Sequence, residues 1–201
     1  IMVVNSSGVK IYDGDTPNFD MWMVFSYALS AVTTGDILNG MGILGKTGGN
    51  GLYTFDFIKD EVYNRYADTT KRAENTILNR NAAGSAGAPY SVNQMINATV
   101  NDVKMTIRTG AARNYLGVEI PTIALACTSG ISIIRDDGNV SSWANRSGIN
   151  LSNFNELGEI ICEFRNSNEM ELQGFEPPYA TNAGKMANIN YYHANAAMQV
   201  Y

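Results

Sequence analysis

Histidine and cysteine are nearly missing from this chain: His193 is the one imidazole, and Cys127 and Cys162 are the two thiols. A metal site built on several imidazoles is therefore excluded, and the three residues lack the spacing of a zinc finger. Both cysteines sit inside apolar segments, "IALACTSG" and "GEIICEF", which reads as two small buried hydrophobes rather than a disulfide framework. Charge is scarce as well, at 16% of residues, and its balance is acidic, with net charge -5 and a sequence pI of about 4.8. The chain as a whole has no attraction for nucleic acid or an anionic membrane, although a local basic groove stays open. Long hydrophobic runs are lacking too. The longest, "MWMVFSYALSAV" from Met21 to Val32, is too short to cross a bilayer and is interrupted by Ser26, Tyr27 and Ser30, so no membrane span is expected.

What the chain has is enough apolar material for a core, 45% of 201 residues, in a length that suits one domain or two small ones. Asparagine makes up about one residue in nine, and N-x-[ST] sequons occur at Asn5, Asn97, Asn139, Asn145 and Asn150. Such an asparagine-rich chain produces several sequons by composition alone.

The opening "IMVVNSSGVKIYDGD" reads as a small hairpin. Thr16 and Pro17 then make a helix start, with Gly35 as its stop, and the residues between leave almost no polar face. In "FDFIKDEVYNRYADTTKRAENTILNR", Phe55 to Arg80, Ile58, Val62, Thr69, Ala73 and Ile77 step at helical spacing. The pairs Glu61 to Arg65 and Asp68 to Arg72 have the favourable i,i+4 order for a long surface helix. "NAAGSAGAP", Asn81 to Pro89, is the best candidate boundary, and "YSVNQMINATVNDVKMTIRTG" reads as a third helix ending at Gly110. Beyond it come short β-rich runs and an irregular tail. The expectation is an α+β fold: a helical N-terminal half with three main helices and a β-rich, loop-rich C-terminal half. Residues 1–83 and 89–201 form its parts, or the whole is a single domain.

The stretch "NGMGILGKTGGNG" places Gly40, Gly45, Lys46 and Thr47 at the spacing of a phosphate-binding loop. That loop needs a buried strand before it and a helix after it, so that several N–H groups converge on one anion. "VTTGDIL" is too broken for the strand, and "GGNG" breaks the first turn of the helix, so a mobile connection between two helices is the first reading and nucleotide binding the alternative. Other chemistry finds less support. Cys127 with His193 makes a nucleophile pair only if Cys127 leaves the core. "AGSAG" has Ala83 where a nucleophile elbow needs glycine, and Asp136 and Asp137 sit in an "RDDGN" turn. No catalytic residue, metal or cofactor is assigned. Nucleic-acid contact would use Lys46, Arg65, Lys71, Arg72, Arg80, Arg108 and Arg113, with Tyr63, Tyr66 and Tyr90 available for stacking. With an acidic chain, such a groove forms on assembly rather than on an exposed face.

Two stretches resemble the coat proteins of flexible filamentous plant viruses of the potyvirus kind. "NFDMWMVFSYALSAVTTGDILNG", Asn18 to Gly40, is similar to that family's helix with a Phe-Asp-x-Trp opening, and "YTFDF" with "KRAENTILNRNAA" to its Phe-Asp-Phe segment and following helix. They cover about a third of the chain, sit closer together than in the family, and leave the second half without counterpart. The resemblance implies a helical core with an RNA groove, Asp56 near the RNA, and arms that join neighbours. The leading expectation is therefore a self-assembling structural subunit, a viral coat or filament protein found in virions. Its partners would be copies of itself, and nucleic acid in the assembled groove. A phosphate-binding protein using Gly40 to Thr47 and a secreted binding module are the alternatives.

Overall fold

A computed structural model of the chain describes residues 1–5, 8–15, 21–25, 32–48, 51–59, 61–65, 70–73, 89–90, 95–144, 149–154, 160–166, 169–175 and 191–194. Among them there is no helix. The first sheet holds β1 (Met2–Asn5), β2 (Gly8–Tyr12) and β3 (Met21–Phe25). The second holds β4 (Val32–Leu38), β5 (Met41–Lys46), β6 (Leu52–Asp56), β7 (Glu61–Arg65), β8 (Thr70–Ala73) and β9 (Pro89–Tyr90). The third holds β10 (Val100–Thr106), β11 (Thr122–Cys127), β12 (Gly130–Ile134) and β13 (Val140–Ala144). The fourth holds β14 (Ile149–Phe154), β15 (Ile160–Asn166), β16 (Glu169–Phe175) and β17 (Tyr191–Ala194). In every sheet the spatial order equals the chain order and all pairs are antiparallel, so each sheet is a meander built from local connections.

The N-terminal hairpin and the strands of the second half are present, but the helical N-terminal half is not. Met21–Phe25 and Val32–Leu38 are strands where one apolar helix was expected; residues 16–20 and 26–31 lie outside the described residues. The expected long helix from Phe55 to Arg80 is instead, where described, the end of β6, a turn, β7 and β8, with 60, 66–69 and 74–80 outside the described residues. The turn is fixed by Asp56, whose Oδ1 accepts the N–H groups of Ile58 at 3.1 Å and Lys59 at 3.0 Å. This side-chain turn competes with helical backbone bonding. Along an extended strand, Glu61 and Arg65 stand about 13 Å apart, and Glu61 instead accepts the Tyr63 hydroxyl at 2.7 Å. The third expected helix is, where described, β9, an irregular stretch at 95–99 and β10, with 91–94 outside the described residues. The 81–88 boundary lies outside the described residues.

Asn39 and Gly40 set the register of the central hairpin. Both have positive φ, 48° and 74°, as a two-residue I′ turn requires, and Leu38 pairs with Met41 across it. From there the period of two distributes β5 between two cores. Leu44 joins Tyr53, Phe55 and Val62 against Val9 and Ile11 of the first sheet. Its neighbour Ile43 joins Leu52 against Val100, Val103, Ile123 and Leu125 of the third. A one-residue slip would exchange the two sets. Gly45 permits the second approach, because a Cβ there would lie 2.7 Å from Thr34 Cγ2 and 2.8 Å from Val100 Cγ1.

The edge of β10 is closed by side chains of β4. The Val103 N–H donates to Thr34 Oγ1 at 3.3 Å, the Met105 N–H to Asp36 Oδ2 at 2.8 Å, and the Thr34 hydroxyl to Asp102 Oδ1 at 2.7 Å. Edge N–H groups that would otherwise offer themselves to another chain are thereby satisfied.

Candidate functional site: a cavity between the second and third sheets

Strand pairing assembles the site. Thr54 stands opposite Tyr63, and Leu52 opposite Arg65, so these side chains share the face of the second sheet that looks toward the third. The turn after β12 supplies the facing wall. There Gly138 has φ 83°, its N–H donates to the Arg135 carbonyl at 2.9 Å, and Asp137 accepts both the N–H and the side-chain amide of Asn139 at 2.8 Å. The segment between β10 and β11 closes a further side. Its Tyr115 hydroxyl donates to the Ile58 carbonyl at 2.9 Å, its Glu119 carbonyl accepts Asn39 Nδ2 at 3.1 Å, and its Ala112 N–H donates to Asp136. The cavity is half open to solvent and has a volume of about 450 Å³, within the range of small-molecule sites.

Its electrostatics are uneven. Asp56, besides holding its turn, lies 3.5 Å from Lys59 Nζ. Burial pushes the Asp137 carboxyl up, but the Asn139 donors and Arg135 outweigh it, leaving the group below its usual value. Arg65 is different. Its guanidinium lies over the Tyr63 ring, 5.6 Å from the centroid, yet its Nε and Nη1 are buried without a hydrogen-bond acceptor among the described residues. Burial depresses its pKa and Tyr63 opposes that shift, but a guanidinium remains a cation throughout the accessible range. Thr54 Oγ1 and Arg135 Nε are also buried without a hydrogen bond, and Asp137 Oδ1, at 3.8 Å from that Nε, is too distant to supply one. All three residues line the cavity.

Of the basic and acidic residues expected to meet nucleic acid, the fold brings two to this cavity, Asp56 and Arg65. Lys46 closes β5 on the opposite face, 4% exposed, with Nζ 5.2 Å from the Tyr53 centroid and its pKa lowered by burial. Arg72 lies in β8 and Arg80 outside the described residues. Arg108 follows β10, and Arg113 pairs with Glu119 at 3.1 Å. The phosphate-loop residues are spread along a hairpin: Gly40 in its turn, Gly45 and Lys46 in β5, Thr47 beyond it, with β6 rather than a helix next. The segment is thus an antiparallel hairpin, not a mobile link between helices, and it lacks the helix N-terminus on which phosphate-loop chemistry depends.

Cys127 is fully buried in β11 and free, and burial pushes its thiol up to about 12 against the hydrogen bonds of Asn97 and Ser132. It is a core residue rather than a nucleophile. Among the described residues no group of histidine, cysteine and carboxylate could hold a metal, and no helix is long and apolar enough to cross a membrane. Arg135 and Thr54 were missed in the sequence. The signal for Thr54 was the alternation Tyr53, Thr54, Phe55; for Arg135 there was none beyond the turn that follows it.

No protein family, curated protein or solved structure matches the chain. The two stretches that resemble potyvirus-type coat proteins are, where described, strands β3, β4, β6 and β8, so they do not form the helical core that the resemblance implies.

Proposed function

We propose that this chain is a structural, self-assembling subunit of the coat or filament kind, whose copies join through an open sheet edge. The observation that carries the reading is β1. Among the described residues it is the outer strand of the first sheet, sequence "MVVN", with neither charge, proline nor bulge. Met2 and Val4 pack against the core, while Val3 faces outward, 42% exposed. Edge strands in proteins that stay apart are shielded by charges, prolines or bulges, and β10 in this chain is closed by side chains from β4. The contrast between a closed edge and an open one supports β1 as the joining strand, with a second copy of the chain as its partner.

The reading does not extend to nucleic acid on a single copy: Lys46 is buried and Arg113 is paired. Nucleic acid enters only as cargo of a groove made on assembly, and virion localisation follows the coat reading alone. The test is the mass distribution of the purified chain beside a Val3→Lys variant. The parent forms concentration-dependent oligomers and the variant stays small. A parent that is monomeric at high concentration removes the proposal.

A further inference from the structure

A β1 strand that pairs antiparallel with β1 of a second copy does so about a two-fold axis, and such a contact closes at two chains. A filament or shell needs a second contact elsewhere on the surface. Among the described residues five large hydrophobic side chains are exposed. Ile1 and Val3 lie in or beside β1, while Ile37, Tyr115 and Leu116 lie near two turns that Asn39 Nδ2 ties together through the Glu119 carbonyl. Tyr115 and Leu116 form the tip of the segment between β10 and β11, whose ends meet where Thr106 pairs with Thr122. The tip is bonded to itself. Asn114 Oδ1 accepts the N–H groups of Leu116 at 2.9 Å and Val118 at 3.1 Å, and the Gly117 N–H donates to the Asn114 carbonyl at 2.9 Å. Tyr115, 72% exposed, is held by its hydroxyl on the Ile58 carbonyl, and Leu116 is 61% exposed. A loop that satisfies its own backbone while it holds two large apolar side chains in water is preorganised for a contact, which lowers the ordering cost of association.

The half-open cavity stands beside this tip on the same face. The Tyr115 hydroxyl reaches the residue before Lys59 and the Ala112 N–H reaches Asp136, and Lys59 and Asp136 both line the cavity. The lining has three carboxylates, Asp56, Asp136 and Asp137, and three cations, Lys59, Arg65 and Arg135, so it carries no net charge. The tip from Asn114 to Gly117 has none either. An uncharged tip enters a balanced recess without leaving a charge unpaired. Met41 and Ile120, both half-buried, give Leu116 an apolar wall. We propose that this face joins a second copy of the chain about a two-fold axis, with the tip of Tyr115 and Leu116 of each copy seated in the cavity of the other. Protrusion and recess side by side on one face make the self-complementary surface that such an axis requires. This second contact rests on the self-assembly reading and supplies what β1 alone lacks.

The test uses the full chain carrying Val3→Lys, in which the β1 edge is blocked, followed by sedimentation velocity over a concentration series. A monomer–dimer equilibrium that stops at two chains is expected. In that background Leu116→Asp puts a charge on the tip, and Asn139→Trp fills the cavity from an exposed residue of its lining. Each should weaken the dimer by about thirtyfold or more, the scale of a central interface residue. Circular dichroism checks folding, and if one substitution unfolds the chain the other decides. A Val3→Lys chain that stays monomeric up to millimolar concentration, or undiminished dimer affinity in a folded variant at either position, overturns the proposal and leaves the β1 edge standing. Parent and Val3→Lys chains that both stop at the dimer, with Leu116→Asp monomeric in each, support this contact and overturn the joining through β1 instead.

Discussion

Replacing Arg65 with methionine should make the protein more stable, not less. The guanidinium holds two buried donors without acceptors among the described residues, and each such group costs about 1–3 kcal/mol of desolvation. Because the residue is not wholly buried, the lower end applies, about 2 kcal/mol for the two. Against this stands the contact with the Tyr63 ring, about 0.5–1 kcal/mol at a site of this exposure. The unbranched methionine keeps the packing of the arginine stem. The net gain is about 1 kcal/mol, which for a chain of this length raises Tm by about 2–4 °C. Urea unfolding followed by circular dichroism gives the value, read as a shift in midpoint at constant slope and at equal protein concentration, because association also moves the midpoint. Arg65→Lys is the control: it retains the charge and should show little gain. A loss of about 1 kcal/mol or more in Arg65→Met, with Arg65→Lys unaffected, would refute the reasoning, since it would mean that the charge is paired and holds the sheets together.

Two further predictions concern the core. Gly45→Ala places a methyl group 2.7–2.8 Å from Thr34 Cγ2 and Val100 Cγ1; it should cost about 1–3 kcal/mol by overpacking, measured by the same urea unfolding. A neutral result would mean that β5 and β10 do not pack as described. In a Cys162→Ser background, Cys127 should resist iodoacetamide at pH 8 until the protein unfolds, since burial pushes its thiol up from the ordinary 9.0 to about 12. Because the folded state then retains a proton that the unfolded state has lost, its contribution to stability is intact below about pH 9 and declines as pH rises toward about 12. Native-state labelling as fast as that of a free thiol would contradict the burial.

The parts of this fold that the sequence revealed were those with period-two alternation and turn chemistry, namely the N-terminal hairpin and the strands around Cys127 and Ile131. The parts misread share one cause. "MWMVF" is a short apolar run that periodicity alone cannot assign to helix or strand. "YTFDFIKDEVYNR" carries both a helical spacing of Ile58 and Val62 and a strand alternation of Tyr53, Phe55 and Phe57; the Asp56 side-chain turn between them decides for strands. Asn39 and Gly40 are a strong short hairpin signal, which the reading of this stretch as a mobile connection between two helices passes over. Asp56 and Arg65 were singled out in the sequence, for a nucleic-acid role. Their shared cavity was not legible, because it depends on the strand pairing of β6 with β7 and on a facing sheet nearly seventy residues later in the chain.

The central claim, that copies of this chain join through the open edge of β1, is tested most directly by negative-stain electron microscopy and mass photometry of the parent and of Val3→Lys. The account predicts ordered oligomers or polymers from the parent, growing with concentration, and dispersed small particles from the variant with unchanged circular dichroism. Monomers alone from the parent at every concentration, or identical assemblies from both proteins, would contradict it.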